Sequence, residues 1–365
     1  MATKTKKLNK YSELERLFRE EFALHASRIK FIVLIIIAFL KVQSVNFVRL
    51  SQGFENPVQL SSNLRRIQRF FSSFKLDEDL VSRLLFKLLP FCGPYDLSLD
   101  RTNWKFGSRN INILVLGVVY QGLCFPILWV FLGDKQGNSD QTERITLIQR
   151  FIRLFGEQAI GSLSADREFV GKDWWQFLID HKIRFFIRMR ANMKVHIPHK
   201  GIVDAAWLFN SLPLNTFYQY PKIVQVKGCW VYLSGAKFVN QEGKLELLII
   251  ASYKEEPQAL DFYKNRWQIE TMFKAFKTSG FNLEDTHLKD DERLNKLLMM
   301  LTIAFYWAYK VGIYKHQHIK PIKIKKHGRS EKSLFAYGLE FLAQALINNF
   351  KSMTNKLIQV FLSCT

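Results

Sequence analysis

"YDLSLDRTNWKFG", residues 95–107, marks where the chain changes from a helical to an extended pattern. Apolar and polar residues alternate with a period of two between Pro94 and Gly107, which predicts a β-strand carrying Asp100. Two apolar runs follow, "NINILVLGVVY" (110–120) and "FPILWVFLG" (125–133). Both are apolar enough for central strands, and the glycines around them suggest hairpin turns. "SDQTERITLIQRFIRLFG" (139–156) reads as a helix capped by Ser139 or Asp140 and stopped by Gly156. "AIGSLSADREF" (159–169) is a short buried strand ending in Asp166; "GKDWWQFLIDH" (171–181) is a helix and "IRFFIRMR" (183–190) a strand. The order β-β-β-α-β-α-β predicts an α/β fold, a mixed sheet with helices packed on it.

Beyond Arg190 the segments "MKVHI", "FYQYPKIVQV", "CWVYLSGAKF" and "KLELLIIASY" are short, β-like and separated by Gly, Pro and Asn, so 191–254 reads as a β-rich insertion. "DFYKNRWQIETMFKAFKTSGF" (261–281) returns to helical spacing. At about 100° per residue, Tyr263, Arg266, Glu270, Lys274 and Lys277 fall within about 80° of arc. Phe262, Ile269, Met272, Phe273 and Phe276 occupy a separate arc beside it. One face is expected to pack and the other to gather one carboxylate with three cations. Taken alone, such a face reads first as a solvated one, since exposed i,i+4 pairs contribute only a few tenths of a kcal/mol.

The flanks are helical. "YSELERLFREEFALHASRI" (11–29) has apolar spacing of three and four, and "FIVLIIIAFL" (31–40) reads as a buried helix, well short of the roughly 20 residues that cross a bilayer. The acidic segment before that run argues against a signal peptide. "SNLRRIQRFFSSFKL" (62–76) alternates Arg65, Arg66, Arg69 and Lys75 with phenylalanines, with Ser61 and Ser62 as expected caps. "DEDLVSRLLFKLLP" (77–90) is a further helix stopped by Pro90. After 281 come "DDERLNKLLMMLTIAFYWAYKVG" (290–312), a long buried helix, and a basic connector to Lys332. "SLFAYGLEFLAQALINNF" (333–350) then carries Leu334, Phe335, Leu339, Leu342, Ala345 and Leu346 as one apolar stripe.

With 365 residues, 48% of them hydrophobic and 32 of them Phe, the chain has enough apolar surface for a sizeable core and is not disordered. A net charge of +21, with 53 basic against 32 acidic residues, points to a polyanionic partner; no membrane partner is expected. Cys92, Cys124, Cys229 and Cys364 form neither a zinc pattern nor a disulfide framework, which suits a reducing cytoplasm. His196 and His199 have no partner cysteines.

Asp100, Asp166 and Glu270 therefore carry the chemical argument. If the first and fourth strands are neighbours, both aspartates open at one edge of the sheet and the later helix lays its glutamate across them. Three oxygen-rich side chains without His or Cys select hard divalent ions, Mg²⁺ above all. Two such ions about 3.5–4 Å apart serve in-line attack on phosphate.

The spacing Tyr263-x2-Arg266-x3-Glu270-x6-Lys277, with "LDRTNW" and "SADREF" before it, resembles the YREK-signature group of bacterial insertion-sequence transposases. These are DDE enzymes with a ribonuclease-H-like core interrupted by a β insertion. The resemblance covers roughly 95–310. It implies that Asp100, Asp166 and Glu270 hold two Mg²⁺ ions, with Mn²⁺ as a substitute. It implies that Tyr263, Arg266 and Lys277 grip the transposon end near its 5′ phosphate, with Lys274 as a further DNA contact. In relatives that cut through a hairpin a tryptophan stacks on a flipped base; Trp230 in "KGCWVYL" is the candidate, against the alternative of a buried strand tryptophan.

The implied layout is a helical DNA-binding region over 1–92, the catalytic core over 93–190 and 255–312 around the insertion at 191–254, and a basic connector with a helical dimerisation region over 313–365. The implied activity is cut-and-paste transposition: cleavage at terminal inverted repeats and joining of 3′ hydroxyls to target DNA, by a homodimer on paired ends in the bacterial cytoplasm. The rivals are an inactive transposase-derived repressor and a structure-specific nuclease on the same fold.

Overall fold

The computed structural model describes residues 11–133, 137–240, 242–278, 280–326 and 328–363, so Cys364 lies outside the described residues. The chain forms two compact units, Cys92–Met272 and a helical unit of Met1–Phe91 with Phe273–Thr365.

The helical unit begins with α1 (Ser12–Glu21), α2 (Ala26–Val42), α3 (Phe47–Gln52), α4 (Leu60–Ser73) and α5 (Glu78–Lys87). The single helix expected over 11–29 is two, because His25 turns extended and its ring nitrogen accepts the Ser27 N–H, opening α2 afresh. Ser61 and Ser62 do not cap α4: they lie in its first turn, and Gln59 holds the cap position without a side-chain bond. Asp77 does cap α5, accepting from the N–H groups of Asp79 and Leu80.

The sheet unit follows with β1 (Tyr95–Phe106), β2 (Arg109–Tyr120), β3 (Leu123–Phe131), α6 (Gln141–Phe155), β4 (Ile160–Ala165), α7 (Lys172–Asp180) and β5 (Phe185–Met189). Gln121 and Gly122, both at positive φ, form the two-residue turn between β2 and β3. Asp140 and Glu143 close a capping box on α6. The insertion contributes β6 (Lys194–Ile197), β7 (Gly201–Asp204), β8 (Thr216–Gln219), β9 (Val224–Val226), β10 (Cys229–Val239) and β11 (Leu245–Ser252).

Along the sheet the order is β3-β2-β1-β4-β5-β11-β10-β9-β6-β7, with β8 paired to β10. The five-strand portion β3-β2-β1-β4-β5 is antiparallel through β1 and parallel from β1 to β5, which is the ribonuclease-H-like arrangement. β3 lies at the end of that order and not centrally, and it carries Pro126 where a missing N–H is tolerated. The insertion is no detached module: β11 pairs antiparallel with β5 and extends the same sheet.

The helix expected over 261–281 is broken into α8 (Ala259–Lys264) and α9 (Trp267–Lys277). Between them the N–H groups of Arg266, Gln268 and Ile269 donate three residues back instead of four, a tightened turn that resets the helix face.

The helical unit ends with α10 (Asp291–His318), α11 (Leu334–Ile347) and α12 (Lys351–Leu362), the last unread from the sequence. α10 is long and apolar enough to cross a membrane, but 89% of its apolar window is buried, as in a core helix. α11 packs on α10 and α2. Phe335, Leu339, Leu342, Ala345 and Leu346 are buried there, and Leu334 is half-buried. The stripe expected to join two copies is thus consumed within one chain.

α10 and α11 meet backbone to backbone through Gly312 and Gly338. A Cβ on Gly312 would stand 1.9 Å from the Leu334 carbonyl oxygen, and one on Gly338 1.9 Å from that of Ala308. Gly338→Ala should therefore destabilise the protein by about 1–3 kcal/mol despite alanine's better helix propensity, because backbone atoms cannot yield as side chains do. Denaturant unfolding checks this, and unchanged stability would mean the two helices separate freely.

Candidate active site

The site starts from strand register. β1 and β4 run parallel, with Leu97 opposite Leu163, Ser98 opposite Ser164 and Leu99 opposite Ala165. Asp100 and Asp166 each follow the last of these pairs, so they occupy equivalent places on strands spaced about 4.8 Å apart. One Asp100 carboxylate oxygen accepts the Arg101 N–H at 2.8 Å. Asp166 sits where β4 ends and a short 3-10 turn begins. Arg101 ties the same edge together: its guanidinium donates to both carboxylate oxygens of Glu168, at 3.3 and 3.4 Å, and to Asn112 at 3.2 Å.

α8 brings the next residues in. Ala259 and Tyr263 pack with Phe186, Leu248 and Ile250 of β5 and β11, and the Phe262 ring stacks on Phe186 at 4.9 Å. This apolar seat aims the Tyr263 hydroxyl at Asp166, to which it donates at 3.3 Å. Arg266, at the joint between α8 and α9, uses three nitrogens on three partners. Nε donates to the Tyr263 hydroxyl oxygen at 3.2 Å, Nη1 to Asp100 Oδ2 at 3.2 Å, and Nη2 to Glu270 Oε1 at 2.8 Å. Its side chain is 5% exposed, against 16% for Asp100 and 41% for Glu270.

Burial pushes the Asp100 carboxyl up to about 7, while the Arg266 charge and the Arg101 N–H pull it down without cancelling that. Burial opposes the Arg266 charge too, yet Tyr263, Asp100, Asp166 and the bond to Glu270 outweigh it and hold the guanidinium above its ordinary value. The partners pull in opposite senses, and Arg266 governs, because a guanidinium does not release its proton in proteins. Burial, with Asp166 adding to it, pushes the Tyr263 phenol up to about 12.

The three acids of the sequence reading and two members of the charged face thus come together. The arrangement differs from the one expected. Tyr263 and Arg266 are not on an open face but buried, at 3% and 4% exposure, because the helix break turns them into the acid cluster. The carboxylates gather around a guanidinium rather than around each other: no group of three His, Cys, Asp or Glu side chains among the described residues is placed to hold a metal ion. The donor chemistry nonetheless fits a hard divalent cation, since every acid offers oxygen and the cluster already accommodates a buried positive charge.

Farther along α9, Lys274 is exposed and the Lys277 ammonium lies 3.1 Å from Glu284. Trp230 is no buried strand tryptophan: it is 45% exposed on β10. Arg101, Glu168 and Trp267 escaped the sequence reading. The first two stand inside the quoted aspartate motifs, at positions whose pairing no local pattern reveals. Trp267, 61% exposed, has its ring 5.5 Å from the Arg266 guanidinium carbon.

A family model described as a transposase DDE domain matches residues 93–307, which include all three acids. A search of curated protein sequences finds no match. Among solved structures, the chain is similar to a piggyBac transposase in a cryo-EM synaptic complex with hairpin DNA, at 13% identity and a TM-score of 0.45, over 97% of this chain and 80% of that one. With the family match spanning more than half its length, from the strand of Asp100 past the helix of Glu270, the chain belongs to the family of the transposase DDE domain.

Proposed function

We propose that this chain is a divalent-metal-dependent DNA transposase of the YREK-signature group, which cleaves at the ends of its element and joins the freed 3′ hydroxyls to target DNA by cut and paste. The observation that carries the reading is the convergence of Asp100, Asp166 and Glu270, from two strands and a later helix, on one buried spot with Tyr263 and Arg266. Asp100, Asp166 and Glu270 are the residues to hold the metal. Bound there, Mg²⁺ or Mn²⁺ supplies Lewis acidity for in-line displacement at phosphorus. The chain's own work is to fix those acids, to exclude water around Asp100, and to present cations to the phosphodiester. Lys274 and Lys277, on the same helix as Glu270, are proposed DNA contacts, and Trp230 is exposed as a base-stacking residue must be. Paired ends require two active sites and so a homodimer, through a surface other than the buried α11 stripe.

The N-terminal helices are the proposed reader of end DNA. An open notch of about 180 Å³ is lined by Ser27, Arg28 and Phe31 of α2 and by Arg66, Arg69 and Phe70 of α4. The Arg28 guanidinium lies over Phe74 at 5.3 Å and that of Arg66 over Phe31 at 5.0 Å. No ion pair engages these three arginines among the described residues, so their charge is free for phosphate.

Two outcomes are expected. Asp100→Asn, Asp166→Asn and Glu270→Gln should each lower metal-dependent cleavage of end DNA by more than about 100-fold, beyond what loss of a supporting contact alone costs, while single-end binding persists in a gel shift. Near-normal cleavage by any one of them would remove that residue from the triad. Replacing Arg28, Arg66 and Arg69 together with alanine should weaken end binding and reduce the slope of log affinity against log salt by about 0.9 per lost phosphate contact. An unchanged slope would return the notch to an ordinary solvated surface.

A further inference from the structure

Arg266 has a second consequence for the proposed metal site, on which this inference rests. We infer that its guanidinium is a built-in counter-cation that excludes divalent metal from the acids until it leaves them, and that the phosphate of an engaged DNA end is what draws it away. All three acids are tied to this one group: Asp100 and Glu270 directly, Asp166 through the Tyr263 hydroxyl. Each nitrogen of the fork has its own partner, so the group offsets part of the cluster's charge and holds one carboxylate oxygen each of Asp100 and Glu270 that a metal would use. A divalent ion takes such oxygens at about 2.0–2.6 Å. It cannot share them with a positive group 2.8 and 3.2 Å from two of the same carboxylates in so buried a site.

The exit is also built. Arg266 sits at the break between α8 and α9, where short three-residue turns replace the regular helical ladder. Beside it the exposed Trp267 ring already lies 5.5 Å from the guanidinium carbon, so an aromatic face borders the group on its way toward solvent. Glu270, the partner of Nη2, is 41% exposed, so that side of the fork borders solvent. A phosphodiester accepts the same bidentate hydrogen bonding that the carboxylates accept now, and guanidinium matches it well. Exchange of carboxylate for phosphate would free the acids when DNA arrives, so metal and DNA would each tighten the other's binding. In free protein the same contact would keep metal, and with it hydrolytic activity, low.

The test is Mn²⁺ binding to the full chain, read from the electron paramagnetic resonance signal of free Mn²⁺. Wild type should bind weakly without DNA. R266Q, which keeps much of the size and polarity without the charge, and R266A should each bind at least about 10-fold tighter, and R266K, which keeps the charge, should stay weak. D100N placed on R266Q should abolish the gain. If R266Q and R266A bind no tighter than wild type, or if a variant that fails to melt cooperatively leaves R266Q folded and unchanged, Arg266 is only a cross-link and the exclusion is wrong. A duplex copied from the DNA flanking the gene should then tighten Mn²⁺ binding to wild type and not to R266Q; equal tightening in both overturns the coupling. A duplex that binds neither protein counts against the transposase reading, while the titration without DNA still decides the exclusion.

Discussion

The parallel pairing of β1 with β4, from Tyr95 opposite Ile160 to Leu99 opposite Ala165, determines where everything else at the site must go. Side chains alternate along a strand, so a slip of one residue would send Asp100 and Asp166 to opposite faces. Register here is held by burial on both strands: Leu97, Leu99, Leu163 and Ala165 are at most 1% exposed. The Ser164 hydroxyl donates to the Leu97 carbonyl and that of Ser162 to the Asp96 carboxylate, which adds polar links at fixed heights. Arg101 and Glu168 clasp the far side. With the aspartates so placed, the later helices need only one apolar seat, on Phe186, Leu248 and Ile250, to bring Tyr263, Arg266 and Glu270 to them.

Charge balance is the second constraint. A buried carboxylate without a partner would be protonated or would unfold its surroundings. Arg266 relieves this only in part for Asp100, whose carboxyl is still pushed up by burial, and Arg266 is tolerable at 4% exposure only because three acids and a phenol surround it. Neither partner belongs in its place without the other. A buried ion pair of this kind is weak evidence for stability.

Much of this was legible in the sequence. Period-two alternation around Asp100, the apolar runs after it and a cap at Ser139 or Asp140 declare themselves locally, while the adjacency of the first and fourth strands stayed a condition. The spacing of Tyr263, Arg266, Glu270 and Lys277 was visible too, as was the β-rich nature of the insertion. What escaped depends on contacts distant in sequence. Nothing at Asn265–Arg266 is a Gly or Pro, so the helix break comes from seating α8 on β5 and β11, which helical spacing cannot report. Arg266 reads as exposed because its compensating acids lie 166 and 100 residues away in the case of Asp100 and Asp166. The apolar stripe of α11 announced a partner without saying whether the partner was α10 of the same chain or a second copy.

The insertion leaves the sheet at β5 and returns along β11, its hydrogen-bonded neighbour. Its two ends are therefore anchored side by side, whatever lies between them. Lengthening, shortening or replacing β6 to β9 would move neither the strand that seats α8 nor the acids that α8 and α9 reach. Such a junction would let this segment be exchanged, and with it exposed groups such as Trp207, while the reaction centre stays the same. A new surface could thus be grafted at a point where the core has little to lose.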